Sequence, residues 1–165
     1  MSQILVQNDI LTYSSYGLFY LGLGTAAAAD TIETVLFSLL NDSDITDLVS
    51  DRIYPTILDQ KASMPAITYQ QVTGVRVHTM NGAIGMCKST FQVNCWASTY
   101  RETRQLSEVV RKTLDGYSGT VDSFQIYTVL LRNEGDMFDA VAENDKLDKY
   151  AKRLDFEIWF KEDLV

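Results

Sequence analysis

Between Ile32 and Leu40 apolar side chains return at helical spacing, with Ile32, Val35, Leu36, Leu39 and Leu40 on one side. Asp30, with Glu33 three residues on, has the form of a capping box, so a helix is expected over about 31–41. A second short turn of helix is expected from Ser43 or Asp44, setting Ile45, Leu48 and Val49 against the same core. From Arg52 the period shortens to two. "RIYPTIL" carries a proline suited only to an edge strand or a strand start, so this piece is expected at the periphery. "AITYQQVTGVRV" and "CKSTFQVNCWA" read as strands. In the second, Phe91, Val93, Cys95 and Ala97 share one face, and Lys88, Thr90, Gln92 and Asn94 the other. The intervening "HTMNGAIG" contains Asn-Gly, a hairpin signal, in a loop expected to exceed two residues.

Thr99 with Glu102 forms a second capping box, opening a helix from about Tyr100 to Leu114 that buries Leu106, Val109, Val110, Thr113 and Leu114 before Gly116 stops it. Two further strands follow, "SFQIYTVLLRNE" and "KYAKRLDFEIWF". In the last, Leu154, Phe156, Ile158 and Phe160 alternate with Arg153, Asp155, Glu157 and Trp159. The order α–β–β–β–α–β–β lacks regular βαβ alternation. The expected class is α+β: a mostly antiparallel β-sheet packed against two α-helices. It forms a single domain over 30–165, preceded by an N-terminal apolar arm over 1–29.

Composition sharpens this picture. The first twenty-nine residues carry one charge, Asp9, and are rich in Leu, Tyr, Gly and Ala. "GLFYLGLGTAAAAD" has an Ala-x-Ala pattern, but no Lys or Arg precedes Arg52, and the apolar run is shorter than a bilayer requires. Neither a secretory leader nor membrane contact is expected. Leu18, Phe19, Tyr20, Leu21 and Leu23 are instead candidates for an interface, the usual meaning of an exposed apolar cluster. Fourteen basic against twenty-two acidic side chains leave a net charge of -8, the wrong sign for gripping phosphate backbones.

Candidate chemistry is thin. Cys95 shares its face with Val93 and Phe91, so its thiol belongs to a wall, where burial raises its pKa. Cys87, eight residues earlier, lies about 26 Å away along the same strand at ~3.3 Å per residue, too far for a disulfide within it. His78 is the single histidine and reads as an exposed loop residue, remote from Cys95. No metal-ligand spacing and no phosphate-binding glycine pattern occurs, and no cofactor is expected. "NEGDMFDAVAENDKLD" reads as a solvated acidic hairpin loop rather than a calcium loop. The Arg101, Arg104, Arg111 and Lys112 edge of the second main helix is interleaved with Glu102, Glu108 and Asp115, which gives a salt-bridged outer face. With no nucleophile, base and oxyanion donor in one constellation, catalysis is not expected.

The motif order resembles the tail completion proteins of tailed bacteriophages, a family related to tail terminators. The resemblance is carried by "RIYP" after a short helical region, the "PAITYQ" strand, "FQVNCWASTY" running into "LSEVVRKTLDG", and the closing "RLDFEIWF", over about Thr31 to Lys161. It implies a structural virion protein at the head–tail junction, assembled in the host cytoplasm. There a homo-oligomeric ring, usually hexameric, would terminate the tail tube and join it to the head connector or stopper. Genomic DNA would cross the lumen without specific binding, and an acidic lining would repel its phosphates. Phages, gene-transfer agents and other phage-derived particles are covered alike. Part of the acidic segment from Glu134 to Asp148, with Asp136, Met137, Phe138, Asp139 and Glu143, is expected to line the lumen or meet the tube, and Trp159 to lie on a contact face. The alternative is a small cytosolic ligand-binding or enzymatic α+β domain using a cleft around His78 and Tyr100.

Overall fold

Two short helices lead into the sheet. Helix α1, Ile32–Leu40, buries Ile32, Val35, Leu36 and Leu40, and α2, Ser43–Val49, buries Ile45 and Val49. Asp42 caps α2 by accepting the Asp44 N–H at 3.0 Å, which satisfies one of the orphan donors of a helix start. The computed structural model describes residues 31–58, 61–122, 124–139 and 149–162, with backbone alone for 138 and 139. The apolar arm therefore lies outside the described residues.

The strands are β1 (Ile53–Pro55), β2 (Ala66–Thr79), β3 (Gly82–Ala97), β4 (Gly119–Val121), β5 (Phe124–Asp139) and β6 (Lys149–Lys161), with α3 (Tyr100–Leu114) between β3 and β4. They form one sheet in the order β1-β2-β3-β6-β5-β4. Every pair is antiparallel except β1 with β2, where Ile53 lies beside Ile67. In the central pair, Phe91 stands opposite Phe156, and Val93 opposite Leu154. All four are fully buried beneath the helices. A side chain of this size gains about 1.5–3 kcal/mol when removed from water, so this row is the main store of stability.

Helix α3 covers that row. Thr99 caps it, accepting the Glu102 N–H at 3.2 Å, and the Thr103 hydroxyl donates to Thr99 O and to Tyr150 O, tying the first turn to β6. Leu106, Val110 and Leu114 are buried as the spacing predicts, joined by Thr103 and Ser107, while Val109 and Thr113 are half-buried. Gly116 ends the helix at φ 82, a conformation that favours glycine.

Several expectations need correction. Three helices pack on the sheet, not two, because "SDITDLV" closes into a helix of its own. The first helix starts one residue later than the Asp30–Glu33 pairing implies. Thr31 is its N-cap, and the Thr31 N–H donates to Thr34 Oγ1 at 3.2 Å. The β2–β3 turn is two residues, Met80 and Asn81, since Thr79 pairs with Gly82. His78 therefore sits on a strand, not in a loop, though it is exposed. Finally, Glu134 to Asp139 continue β5 rather than belonging to a loop.

Candidate assembly surfaces

The described residues offer little to a reaction. Cys95 is fully buried, and burial pushes its thiol up to about 12. Cys87 is buried too. Desolvation raises its pKa, and its thiol donates to Glu162 Oε2 at 3.3 Å. His78 and Tyr100 do not share a cleft. His78 pairs with Ala83 near one end of β3, whereas Tyr100 follows its other end, about 46 Å further along the strand at ~3.3 Å per residue. A cleft of ≈ 490 Å³ between α3 and the β5–β6 pair is lined by Arg104, Glu108, Arg111, Glu134 and Lys152, whose charges largely compensate one another. Among the described residues no group of His, Cys, Asp or Glu is placed to hold a metal, and no helix is long and apolar enough to cross a membrane.

The sheet face turned away from the helices is more distinctive. Glu157, its side chain 12% exposed, accepts from Arg132 Nη2 at 2.6 Å and from Trp159 Nε1 at 2.8 Å, and it stands 3.5 Å from Lys88 Nζ. The Arg132 hydrogen bond is the main reason its carboxyl is held below the usual range. Lys88 also lies 5.5 Å from the centre of the Trp159 ring, within cation–π reach. Further along, Asp155 accepts from Asn133 and faces Arg153 at 3.5 Å. On β2 and β3, Thr68 Oγ1 accepts from both Asn94 and Trp96. The result is a polar face whose side chains are laced to one another, suited to meeting another protein with little further loss of side-chain entropy.

The two outer edges of the sheet differ. On β5, β4 pairs with Phe124–Ile126, the Gly116 N–H donates to Val129 O, the Val129 N–H to Tyr117 O, and the Leu131 N–H to Asp115 Oδ1. The edge is thus closed through Leu131. On β2, β1 covers Ile67–Tyr69 and the Thr56 N–H reaches Tyr69 O. Beyond that, among the described residues, no other element bonds to its outer side. The β2–β3 hairpin runs past β6, which begins pairing at Met86, and carries exposed Val72, Val75, Met80 and Ile84.

The expected contact residues are scattered. Asp136 lies opposite Lys152, 4.0 Å from its Nζ, with Glu134 at 3.6 Å from the same amine, so these acids are partly neutralised. Tyr100 donates to Asp136 at 3.4 Å. Met137 is exposed on the helix-free side of β5, and Phe138 and Asp139 complete the strand. Trp159 is half-buried in the Glu157 network, opposite Thr128. That places it eight positions along β6 from Ala151, the partner of Met137, or about 26 Å. Leu18, Phe19, Tyr20, Leu21, Leu23 and Glu143 lie outside the described residues. Local pattern does not reveal the Arg132–Glu157–Lys88 cluster, which joins three strands. The open β2 edge had a signal, a fourteen-residue strand without one acid.

Comparison with proteins of known structure finds a chain from the virion of a native gene transfer agent particle. It superposes with a TM-score of 0.63 at 13% identity, covering 84% of this chain and all of the other. At that identity the likeness speaks for the fold. Comparison with curated proteins finds no match. The profile of the family described as Tail completion protein gp17 matches residues 33–161, from the first turn of α1 to the last residue of β6. The chain therefore belongs to the tail completion protein gp17 family and is a structural protein of the virion tail.

Proposed function

We propose that this protein works at the head–tail junction, where a closed ring of identical copies ends the tail tube and docks to the head connector. Family membership over residues 33–161 carries the reading. The laced, helix-free sheet face and the long free edge of β2 supply surfaces suited to it. Six copies is the number implied by the resemblance. The work is done by shape, without a reaction or a cofactor. The genome crosses the ring without being held, and the net charge of -8 favours such passage, because an attractive lining would retard phosphate.

Two parts of the proposal fall on particular residues. Asp136, Asp139 and Glu143 face the lumen or the tube, so neutralising all three impairs joining or DNA ejection while the fold persists. Unchanged infectivity would remove this assignment. Leu18, Phe19, Tyr20, Leu21 and Leu23 contact a neighbouring subunit or tail protein, so deleting Met1–Ala29 changes the oligomer seen by light scattering. The central test is on particles. Without this protein, tails should grow beyond their normal length and remain free of heads, and adding purified protein back should restore joining. Tails of normal length, joined to heads, would refute the reading.

A further inference from the structure

The two free stretches of sheet edge suggest how copies join. Past Tyr69, the outer side of β2 is open from Gln70 to Thr79, ten residues or about 33 Å of backbone. Past Leu131, the outer side of β5 is open from Asn133 to Asp139, and among the described residues no other element bonds to either stretch. Within the first, only side chains of the strand itself reach back to its backbone, Gln71 to Thr73 O and His78 to Arg76 O. An open edge of this length is a template for another strand, and proteins normally blunt such edges. Here the sheet blunts both edges over their first parts, with β1 on one and β4 plus the Asp115–Tyr117 turn on the other, and among the described residues nothing pairs with the far part of either. An extra β2 residue at Val72 and a register shift between Arg76 and His78, where the extra residues lie on β3, bracket a regular ladder over Thr73–Arg76, and Val72 and Val75 are 54% and 50% exposed.

The charged residues of the two stretches differ in sign, although each is paired within its own chain, Arg76 with Glu162 and Glu134 and Asp136 with Lys152. β2 has no acid anywhere along its length and carries Arg76, whose side chain stays 68% exposed even though Glu162 holds it at 2.7 Å. Asn133–Asp139 has Glu134, Asp136 and Asp139 and no base. Because the two stretches lie on opposite borders of one sheet, a contact between them is head-to-tail, the type that generates rings when its rotation closes. We propose that the open β2 edge receives the acidic outer edge of β5 from a second copy of this chain, by strand addition, and that this is the repeating contact of the assembly. The inference rests on the ring reading above. Main-chain hydrogen bonds supply its affinity, and the charge difference supplies its direction. Because strand addition takes up only the backbone edge, the side chains of a strand still project from the faces of the sheet, where the lumen reading above needs Asp136 and Asp139.

Two full-length variants test it. Val72→Glu with Val75→Glu makes the β2 edge acidic, and Glu134→Lys with Asp136→Lys makes the β5 edge basic, with circular dichroism checking that both remain folded. Mass is measured by analytical ultracentrifugation, alone and with isolated tails. Each variant alone should fall from ring to single chain, and a one-to-one mixture should regain the wild-type mass, since the altered edges then complement each other. A wild-type ring with both variants assembling as well as wild type would overturn the edge assignment and leave the ring reading standing. A wild-type chain that stays single even on tail ends would overturn both. As a second measurement, Val75→Cys combined with Gly135→Cys, treated with a bifunctional thiol reagent in assembled tails, should give a ladder of dimers, trimers and higher species. Gly135 has open space around the added side chain, and the native thiols are buried. A product that stops at dimers would contradict head-to-tail addition.

Discussion

The two faces of this sheet are built from the same strands and held together by opposite means. Under the helices, Phe91, Val93, Leu154, Phe156 and Ile158 are fully buried, with purely apolar side chains. One residue along each strand, on the helix-free side, Lys88, Arg132, Glu157 and Trp159 form an ion-pair and hydrogen-bond cluster that remains partly wet. The covered face gains from the area removed from water, which is non-directional and large. The open face gains little net free energy from each pair, but it fixes where each charge stands. The first face therefore accounts for folding and the second for recognition, and substitutions on the two sides should separate these roles.

The strongest contrast comes from Phe156→Ala. It removes a fully buried ring opposite Phe91 and should cost about 3–5 kcal/mol in urea unfolding, with a midpoint shift to match. A loss below about 1 kcal/mol would mean that the covered face is not the store of stability described here.

Glu157→Gln probes the other side with a nearly isosteric change. Losing the charge shared by Arg132 and Lys88 should cost about 1–2 kcal/mol at neutral pH, since hydrogen bonds to charged groups exceed neutral ones. The native carboxyl is held low, chiefly by Arg132 and then by Trp159. A group whose pKa is depressed on folding contributes above its unfolded value and loses that contribution as pH falls through the folded one. The stability gap between the variant and the native chain should therefore be full at neutral pH and close as the solution is acidified below the ordinary carboxylate range. A gap that widened in acid would overturn the assignment.

The helix that covers the apolar face gives a smaller effect. Thr99→Ala removes the oxygen that accepts the Glu102 N–H and should cost about 1 kcal/mol, measured by the same unfolding curve.

These elements were unequally legible from sequence. The covered face could be read, because Phe91, Val93, Cys95 and Ala97 alternate on one strand and Leu106, Val110 and Leu114 recur on one helix, and both periods are local. The far half of β5 could not. Glu134 and Asp136 look like loop acids until Lys152, sixteen positions from Asp136, is set opposite them by strand pairing. The parallel placement of β1 and the three-residue β4 were hidden for the same reason, since each depends on a partner rather than on its own pattern. The alternation on β6 set Trp159 on the face opposite Leu154, Phe156 and Ile158, but its neighbours Arg132 and Lys88 come from other strands and could not be read from it. The β2 edge had a sequence signal in its lack of acids, but the border it occupies became visible only from the order of strands.

The last contrast separates a shifted carboxyl from a stabilising one. Glu108 lies on the outer face of α3, where Arg111 donates to it at 2.8 and 3.0 Å and Lys112 stands at 3.5 Å, and its pKa is drawn down to about 2, chiefly by the Arg111 hydrogen bond. By shift alone it should matter at least as much as Glu157. Its side chain is 50% exposed against 12% for Glu157, however, so water and salt already screen the charge and the long partners lose freedom in holding it. Glu108→Gln should therefore leave the unfolding midpoint within error at physiological salt. A shift as large as that of Glu157→Gln would show that exposure does not divide the two carboxyls, and that the ion pairs on the helix count equally with those on the sheet.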